Sequence, residues 1–210
     1  MPRPIPLEVL TVTTPASAIP GYRYGDPALP PAPLTEEEFA QLKAALLFGD
    51  EDLAALRRAG EVLVPQTEAI LDVWYGFVGS HPFLLHYFAG PDGPRAAYLE
   101  RVRKRFGKWI EDTCRAPYDA AWLAYQHEIG RRHFTGKNET DGDAAAGTPP
   151  FVHFRYVNAL VSPITATIRP FLEKGGAPPA EVERMYQAWF KAVLLQITLW
   201  AWWYVREGAW

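Results

Sequence analysis

The stretch at residues 122–134, WLAYQHEIGRRHF, is the most informative part of the sequence. Its apolar residues Trp122, Tyr125 and Ile129 recur at helical spacing, and His133 continues the same line one turn later. The spacing predicts a helix with one buried stripe that ends in an imidazole. A histidine in that position is a candidate metal ligand, directed into a core.

A helix cap is the alternative role for His133. Gly136 follows shortly after it, and a histidine in the last turn can bond free carbonyl groups and suits the negative end of the helix dipole. A single histidine carries little metal specificity, so this stretch by itself favours the cap. The rest of the sequence must decide between the two roles.

The composition predicts a globular protein with a large core. The chain has 210 residues, of which 49% are hydrophobic and 14% aromatic, and it contains 8 tryptophans. A net charge of -3 gives no basic excess that would favour nucleic acid or an anionic membrane surface. The single cysteine, Cys114, excludes an internal disulfide and a cysteine cluster for zinc or iron–sulfur.

The sequence gives no sign of secretion or of a membrane span. The start, MPRPIPLEVLTV, breaks its apolar stretch with Pro4, Pro6 and Glu8, which makes a poor signal peptide. The most apolar run, at residues 192–205, contains Gln196 and is shorter than the roughly 20 residues that a span needs. We therefore expect a soluble, cytoplasmic protein.

The N-terminal part is predicted to differ from the remainder. Residues 1–34 are rich in proline and have little periodicity, so we expect an extended arm, with a disordered leader as the alternative. Tyr22 and Tyr24 favour packing of the arm onto the body. Residues 35–210 form the predicted single domain.

Helical spacing recurs throughout residues 35–210, and no strand pattern of period two appears, so the domain is predicted to be all-α. Thr35 and Glu38 form a capping box at the start of the first helix. A later helix is predicted to bury one face, which consists of Leu99, Val102, Phe106 and Ile110.

Two long helices are predicted at the C-terminal end, at residues 151–174 with an interruption at Pro163, and at about residues 179–206. The second helix is apolar nearly all round and carries aromatic residues from Tyr186 to Tyr204. We predict a homodimer through these two helices, because aromatic residues are enriched in interface cores. A helix that is central to a monomer is the alternative.

Six segments, in order, resemble the protoglobins, single-domain haem proteins of archaea and bacteria related to the sensor domain of globin-coupled sensors. The resemblance begins at residue 21 and continues to the C-terminus. The segments are ILDVWYGFVGSHP (70–82), YF followed by PDG (87–93), VRKRF with KWI (102–110), WLAYQHEIGRRH (122–133), SPITATIRPFL (162–172) and VERMYQAWFKAVLLQITLW (182–200).

This resemblance implies a globin fold, the three-over-three helical sandwich, with an added N-terminal helix at about residues 35–48. It also implies one haem b (iron protoporphyrin IX) with a single protein ligand, the histidine after the IGxR segment, which is His133. The metal-ligand role is therefore favoured over the cap. The family's distal pair falls on Trp74 and Tyr75, and its haem-packing aromatics fall on Phe88 and Phe106.

Three further positions complete the predicted pocket. Leu160 stands where protoglobins carry a phenylalanine, which predicts a wider distal side. Ile164 is expected in the apolar wall that keeps water from the iron. Arg105, beside Phe106, is the candidate partner of a haem propionate, with a solvated surface charge as the alternative.

The expected function is reversible binding of O2, CO and NO at a five-coordinate haem iron, with Tyr75 as a neutral phenol that donates a hydrogen bond to O2. A haem enzyme with peroxidase-like, nitrite-reducing or carbene-transfer activity is the first alternative, although no acid–base pair supports it. A gas sensor would need an output module, for which we expect no remaining residues. A haem-free interaction module is the last alternative.

Overall fold

The structure is a computed structural model that describes residues 19–206, 208 and 210. The predicted arm therefore lies outside the described residues up to residue 18. Two short antiparallel strands, β1 (Ala89–Gly90) and β2 (Gly93–Pro94), form one small turn. The α-helices of the described residues are α1 (Glu36–Ala45), α2 (Asp50–Leu63), α3 (Thr67–Gly79), α4 (Pro82–Leu85), α5 (Ala96–Arg115), α6 (Ala120–His133), α7 (Phe154–Ala159), α8 (Val161–Glu173) and α9 (Pro179–Ala201).

Two helix starts are fixed by local side-chain caps. The Thr35 hydroxyl accepts from the Glu38 amide at 3.2 Å, and the Glu38 carboxylate accepts from the Thr35 amide at 2.8 Å, which confirms the predicted capping box. The start of α6 is capped by Asp119, whose carboxylate accepts from the Trp122 amide at 2.7 Å. This second cap sets the first turn of the helix that ends at His133.

The predicted interruption at Pro163 is displaced by a few residues. The chain breaks at Leu160, between α7 and α8, and Pro163 lies inside the first turn of α8. Proline is tolerated there because its missing N–H would have no partner within the helix. The Pro163 ring would clash with the carbonyl group of Ala159, four residues earlier, in a continuous helix, so α7 ends at Ala159.

The buried face of α5 includes Ile110, as predicted, and extends further round the helix to Tyr98. Tyr98 is buried at 5% exposure, whereas its neighbour Leu99 is only half-buried. The apolar spacing identified the helix, but it could not show that a tyrosine ring would face inward. Tyr98 matters for the site because it lines the same cavity as His133.

Helix α9 is the centre of the packing. It contacts α2, α5, α6 and α8, and its inner face is sealed from solvent. Burial of each large apolar side chain on this face stabilises the fold by roughly 1.5–3 kcal/mol. The helix ends at Ala201 and continues as a short 3-10 turn, Trp202–Tyr204, which is earlier than the predicted residue 206. The residues of α9 with no exposed surface are Met185, Ala188, Trp189, Ala192, Val193 and Leu195.

Gly130 allows α6 to approach α9 closely. A Cβ atom at this position would lie 2.9 Å from the Cα of Trp200 and 3.0 Å from a ring carbon of Trp203. Only glycine fits such a contact, and it brings the last turn of α6 against the last turns of α9.

None of the described helices is long and apolar enough to cross a membrane.

Candidate haem site

One cavity brings the predicted site residues together. Its volume, counted as space open to the centres of water molecules, is about 240 Å³, and residues of α3, α5, α6, α8 and α9 line it. Helix α3 packs on α5 and α8, whereas α6 packs on α9, so the cavity has two differently built walls. The predicted residues that line it are Trp74, Tyr75, Phe88, Arg105, Phe106, His133, Leu160 and Ile164.

The His133 ring is oriented by its own helix. Its Nδ1 lies 2.9 Å from the carbonyl oxygen of Ile129, which can only accept, so Nδ1 carries the proton and Nε2 keeps its lone pair. Burial lowers the pKa of His133, and this effect outweighs the opposing Ile129 hydrogen bond. The ring is therefore neutral at pH 7. The cap contact and an available metal-ligating nitrogen occur in the same side chain.

Trp200 stacks on one face of the His133 imidazole. The two rings are stacked, with centroids 4.8 Å apart and planes at 17°. Trp200 is itself fixed, because its indole N–H donates to the Gln126 side chain at 2.9 Å. The backbone is anchored as well, since the carbonyl oxygen of His133 accepts from the Val152 amide at 2.7 Å. The α6–α9 wall thus holds His133 through rings and hydrogen bonds together.

The other wall is built from aromatic rings in edge-to-face and tilted contacts. Trp74 meets Phe106 at 5.7 Å between centroids with planes at 84°, and Phe106 meets Trp109 at 5.3 Å. Phe88 packs on Tyr98 at 5.8 Å. These contacts make a dry surface with little freedom to move.

Tyr75 supplies a hydroxyl group to this apolar wall. Its ring lies 6.4 Å from Phe88 and 6.5 Å from Phe106, in edge contacts with both. Within residues 19–206 its hydroxyl has no hydrogen-bond partner. Burial raises the pKa of Tyr75, while Arg103 and Arg105 oppose the rise, so the phenol stays neutral and can donate.

Leu160 and Ile164 close the cavity where α7 gives way to α8. The Ile164 amide donates to the Leu160 carbonyl at 3.1 Å, which places both side chains in the turn after the helix break. Both pack against the cluster formed by Trp74, Val78 and Leu84. The displaced break is therefore what brings Leu160 to the cavity.

Charged groups gather at one edge of the cavity. Arg105 donates two hydrogen bonds to the Asp141 carboxylate, at 3.1 and 2.6 Å, and its third contact is the Pro20 carbonyl oxygen at 2.8 Å. Asp141 is 4% exposed, so this pair is largely removed from solvent. Arg105 is thus a partly enclosed, paired residue, and its role beside a propionate stays a prediction.

The described part of the predicted arm crosses this edge. The Gly21 carbonyl oxygen accepts from Arg132, and a Cβ at Gly21, whose φ is +77°, would collide with Thr140. The Tyr22 hydroxyl donates to Asp112 at 2.6 Å, and its ring meets Tyr125 at 5.4 Å. The arm is held by cations that also line the cavity.

The sequence did not single out several other cavity residues, among them Tyr98, Lys137, Asp141 and Trp200. Lys137 and Asp141 lie in residues 136–150, GKNETDGDAAAGTPP, whose glycine and aspartate content predicts only a polar loop. No periodic signal could have found them, because α6 ends at His133 and residues 134–141 form turns.

The remaining histidines have other surroundings. His127, on α6, packs between Trp202 and Trp203 with ring centroids at 4.8 and 4.7 Å. His153 shares a 2.6 Å hydrogen bond with the Tyr87 hydroxyl. Of the histidines in the described part of the chain, His133 is the one that lines the cavity.

The helical arrangement is that of a globin. The structure is similar to the globin domain of a globin-coupled sensor from Geobacter sulfurreducens, with a TM-score of 0.61, 16% identity, and coverage of 80% of this chain and 97% of that chain. The sequence profile of the protoglobin family matches residues 35–210, so the chain belongs to the protoglobin family. No curated protein sequence gives a significant match.

These comparisons confirm the predicted family and the predicted globin fold. Membership of a globin family implies a haem cofactor and small gaseous ligands. The roles of individual residues stay predictions.

Proposed function

We propose that this protein is a globin that binds O2, CO and NO reversibly, with one haem b held by His133. The observation that carries the proposal is the His133 imidazole, which lines an apolar cavity while its Nδ1 is occupied by Ile129. A ring fixed in this way offers Nε2 to a metal.

The residues of the cavity fit a haem. The group is flat and apolar with two carboxylates at one edge, and the cavity combines aromatic walls with a cluster of cations at one edge. When bound, haem iron with a single histidine ligand supplies an open coordination position for diatomic gases. The chain's own residues must then orient the group and keep water away.

Water exclusion falls to the α3–α5–α8 wall. Trp74 is 7% exposed, and its contact with Phe106 closes the wall between α3 and α5. Phe88, Leu160 and Ile164 extend the apolar lining. A dry pocket favours binding of a neutral diatomic molecule and disfavours water.

Tyr75 is the group that would distinguish one gas from another. Its neutral hydroxyl has no partner among the described residues, so it can donate to a ligand without breaking a bond within the protein. A net hydrogen bond is worth about 1 kcal/mol, or several-fold in affinity. O2 carries more negative charge than CO when bound and would gain more.

Arg105 is proposed to act at the propionate edge, as predicted from the sequence. Its bidentate pair with Asp141 fixes the guanidinium on the cavity wall. The same pair also compensates most of its charge. Arg105 would therefore define the shape of this edge more than it would attract an anion.

An absorption spectrum tests the proposal. Purified full-length protein should contain haem at close to one equivalent per chain, with a Soret band that shifts on reduction and again on addition of CO. A protein that takes up no haem when it is supplied would contradict the proposal and favour the haem-free interaction module. The enzymatic alternative and the cytoplasmic location stay predictions.

A homodimer through α8 and α9 is proposed as well. Trp189 and Trp200 of α9 are buried within the chain, but Phe190 is 37% exposed, with half-buried Tyr186 and Leu194 one turn before and one turn after it. This stripe is the part of the predicted surface that remains available to a second copy.

Phe190→Glu should convert the dimer to a monomer in sedimentation experiments, because it places a charge in the centre of the apolar stripe. Phe83→Glu is the matched control, since Phe83 is 51% exposed on α4, away from the stripe. It should leave the dimer intact. A wild-type monomer at micromolar concentration would contradict the proposal.

A further inference from the structure

Lys137 is a buried cation on the cavity wall. It is only 5% exposed, and its ammonium group lies 3.1 Å from the Thr148 hydroxyl and 3.2 Å from the Asn138 side-chain oxygen. Both partners are neutral. A lysine that is buried to this degree normally has a carboxylate beside it.

In the part of the chain that the structure describes, no carboxylate is close enough to the Lys137 ammonium to form an ion pair with it. The neighbouring cations differ in this respect, because Arg105 pairs with Asp141 at 2.6 Å and Arg132 pairs with Glu128 at 2.7 Å. Burial lowers the pKa of Lys137 to about 8, and only the more distant Asp141 opposes this effect. The charge is uncompensated by the protein.

The ammonium group is also held in place before any ligand arrives. Asn138 and Thr148 are bonded to each other at 3.1 Å, and the Asn138 amide donates to the Thr148 carbonyl oxygen at 3.2 Å. The Lys137 ammonium lies 5.1 Å from the centre of the Tyr98 ring, another cavity residue. Two of its three N–H groups have partners, which leaves one donor for a ligand.

The charges of the cavity wall do not balance without an anion. Among the residues that the structure describes, Arg105, Arg132 and Lys137 line the cavity together with one carboxylate, Asp141. Since both arginines already have carboxylate partners, the imbalance is concentrated at Lys137. An incoming carboxylate would satisfy the buried charge and also the remaining N–H donor.

We propose that Lys137 is the carboxylate-binding residue of the cavity, and that it makes the site specific for haem with ionised propionates. This inference rests on the proposed function, because it takes haem as the ligand. It assigns to Lys137, rather than to the already paired Arg105, the main attraction for a propionate.

The test compares two ligands and three proteins. Full-length apoprotein is titrated with ferric protohaem and with its dimethyl ester, which has the same ring but no ionised carboxylates. The proteins are wild type, Lys137→Met, which removes the charge but keeps an unbranched side chain of similar size, and Lys104→Met. Lys104 is the control because its ammonium pairs with Glu100 and is 54% exposed.

Wild type should bind protohaem more tightly than the ester, and Lys137→Met should reduce this preference roughly ten-fold or more, the scale of a buried hydrogen bond to a charged group. The reduction should come from weaker binding of protohaem, with affinity for the ester nearly unchanged. Lys104→Met should behave as wild type.

Two results would overturn the inference while leaving the proposed function in place. One is an unchanged preference in Lys137→Met. The other is an equal loss of affinity for both ligands, which would show that Lys137 supports the loop and not the carboxylate. Failure of wild type to bind either ligand would instead reject the proposed function, so the two failures are distinguishable.

Discussion

The two walls of the cavity are built by different means. On the α6–α9 wall, polar contacts fix the side chains: His133 bonds to Ile129, Trp200 bonds to Gln126, and the two rings stack. On the α3–α5–α8 wall, aromatic rings meet edge to face, and the Tyr75 hydroxyl has no partner among the described residues.

This difference separates two tasks. A metal ligand must keep one orientation, so its wall uses directional bonds that tolerate little change. A pocket for small gases needs a dry space of defined size, so its wall uses ring packing and a single polar group that can respond to a ligand. Substitutions on the α6–α9 wall should therefore have the largest effects, and those on the α3–α5–α8 wall smaller and more selective ones.

His133→Ala should nearly abolish haem retention, because the proposed iron ligand is lost and no other histidine lines the cavity within the described residues. Soret absorbance per chain measures the effect. Imidazole added to the variant should restore part of the haem signal, since the cavity left by the ring can accept the free ligand. Such rescue separates loss of ligation from a folding defect.

His127→Ala is the matched control on the same helix. Its ring packs against Trp202 and Trp203, away from the cavity, so the Soret band should be unchanged even if stability falls. Full haem content and an unchanged ferrous spectrum in His133→Ala would show that His133 is only a helix cap.

The α6–α9 wall could be predicted from the sequence only in part. The stripe of Tyr125, Ile129 and His133 follows from helical spacing, which is a local property, and these residues do line the cavity. Trp200 comes from a helix that is apolar nearly all round, so spacing could not show which side would meet His133. The contact at Gly130 decides this, and it depends on tertiary packing.

The charged edge was the least predictable part of the site. Lys137 and Asp141 lie in a loop whose course is set by contacts distant in sequence, such as Lys137 with Thr148 and Asp141 with Arg105. A polar loop is normally expected to face solvent. On the other wall, Trp74 and Tyr75 were assigned to the site from the resemblance to the protoglobin family. The residues alone show only that they are on an apolar helix.

Tyr75→Phe tests the single polar group of the second wall. It removes one hydroxyl and should raise the O2 dissociation rate several-fold, on the scale of one net hydrogen bond of about 1 kcal/mol. CO dissociation should remain nearly unchanged, because bound CO has less negative charge on its outer atom. Flash photolysis and stopped-flow measurements with the two gases give both rates.

The result for CO serves as the internal control for Tyr75→Phe. Equal increases for both gases would mean that the ring acts through packing with Phe88 and Phe106. The hydrogen-bond role would then be rejected, and the second wall would act on ligands through size alone.

Leu160→Phe should have the smallest effect on affinity, because it changes size without adding a polar group. Leu160 lies at the break between α7 and α8 and lines the cavity, so the phenyl ring of the variant would narrow the space beside Tyr75. The association rates of O2 and CO should fall by a common factor, while the ratio of their dissociation rates stays that of wild type. Overpacking can also destabilise a core by about 1–3 kcal/mol, so the melting temperature is measured with the rates.

A change in the ratio of O2 to CO dissociation without loss of stability would show that Leu160 controls the position of the Tyr75 hydroxyl. In that case the size of the pocket and its polarity would not be separable on this wall.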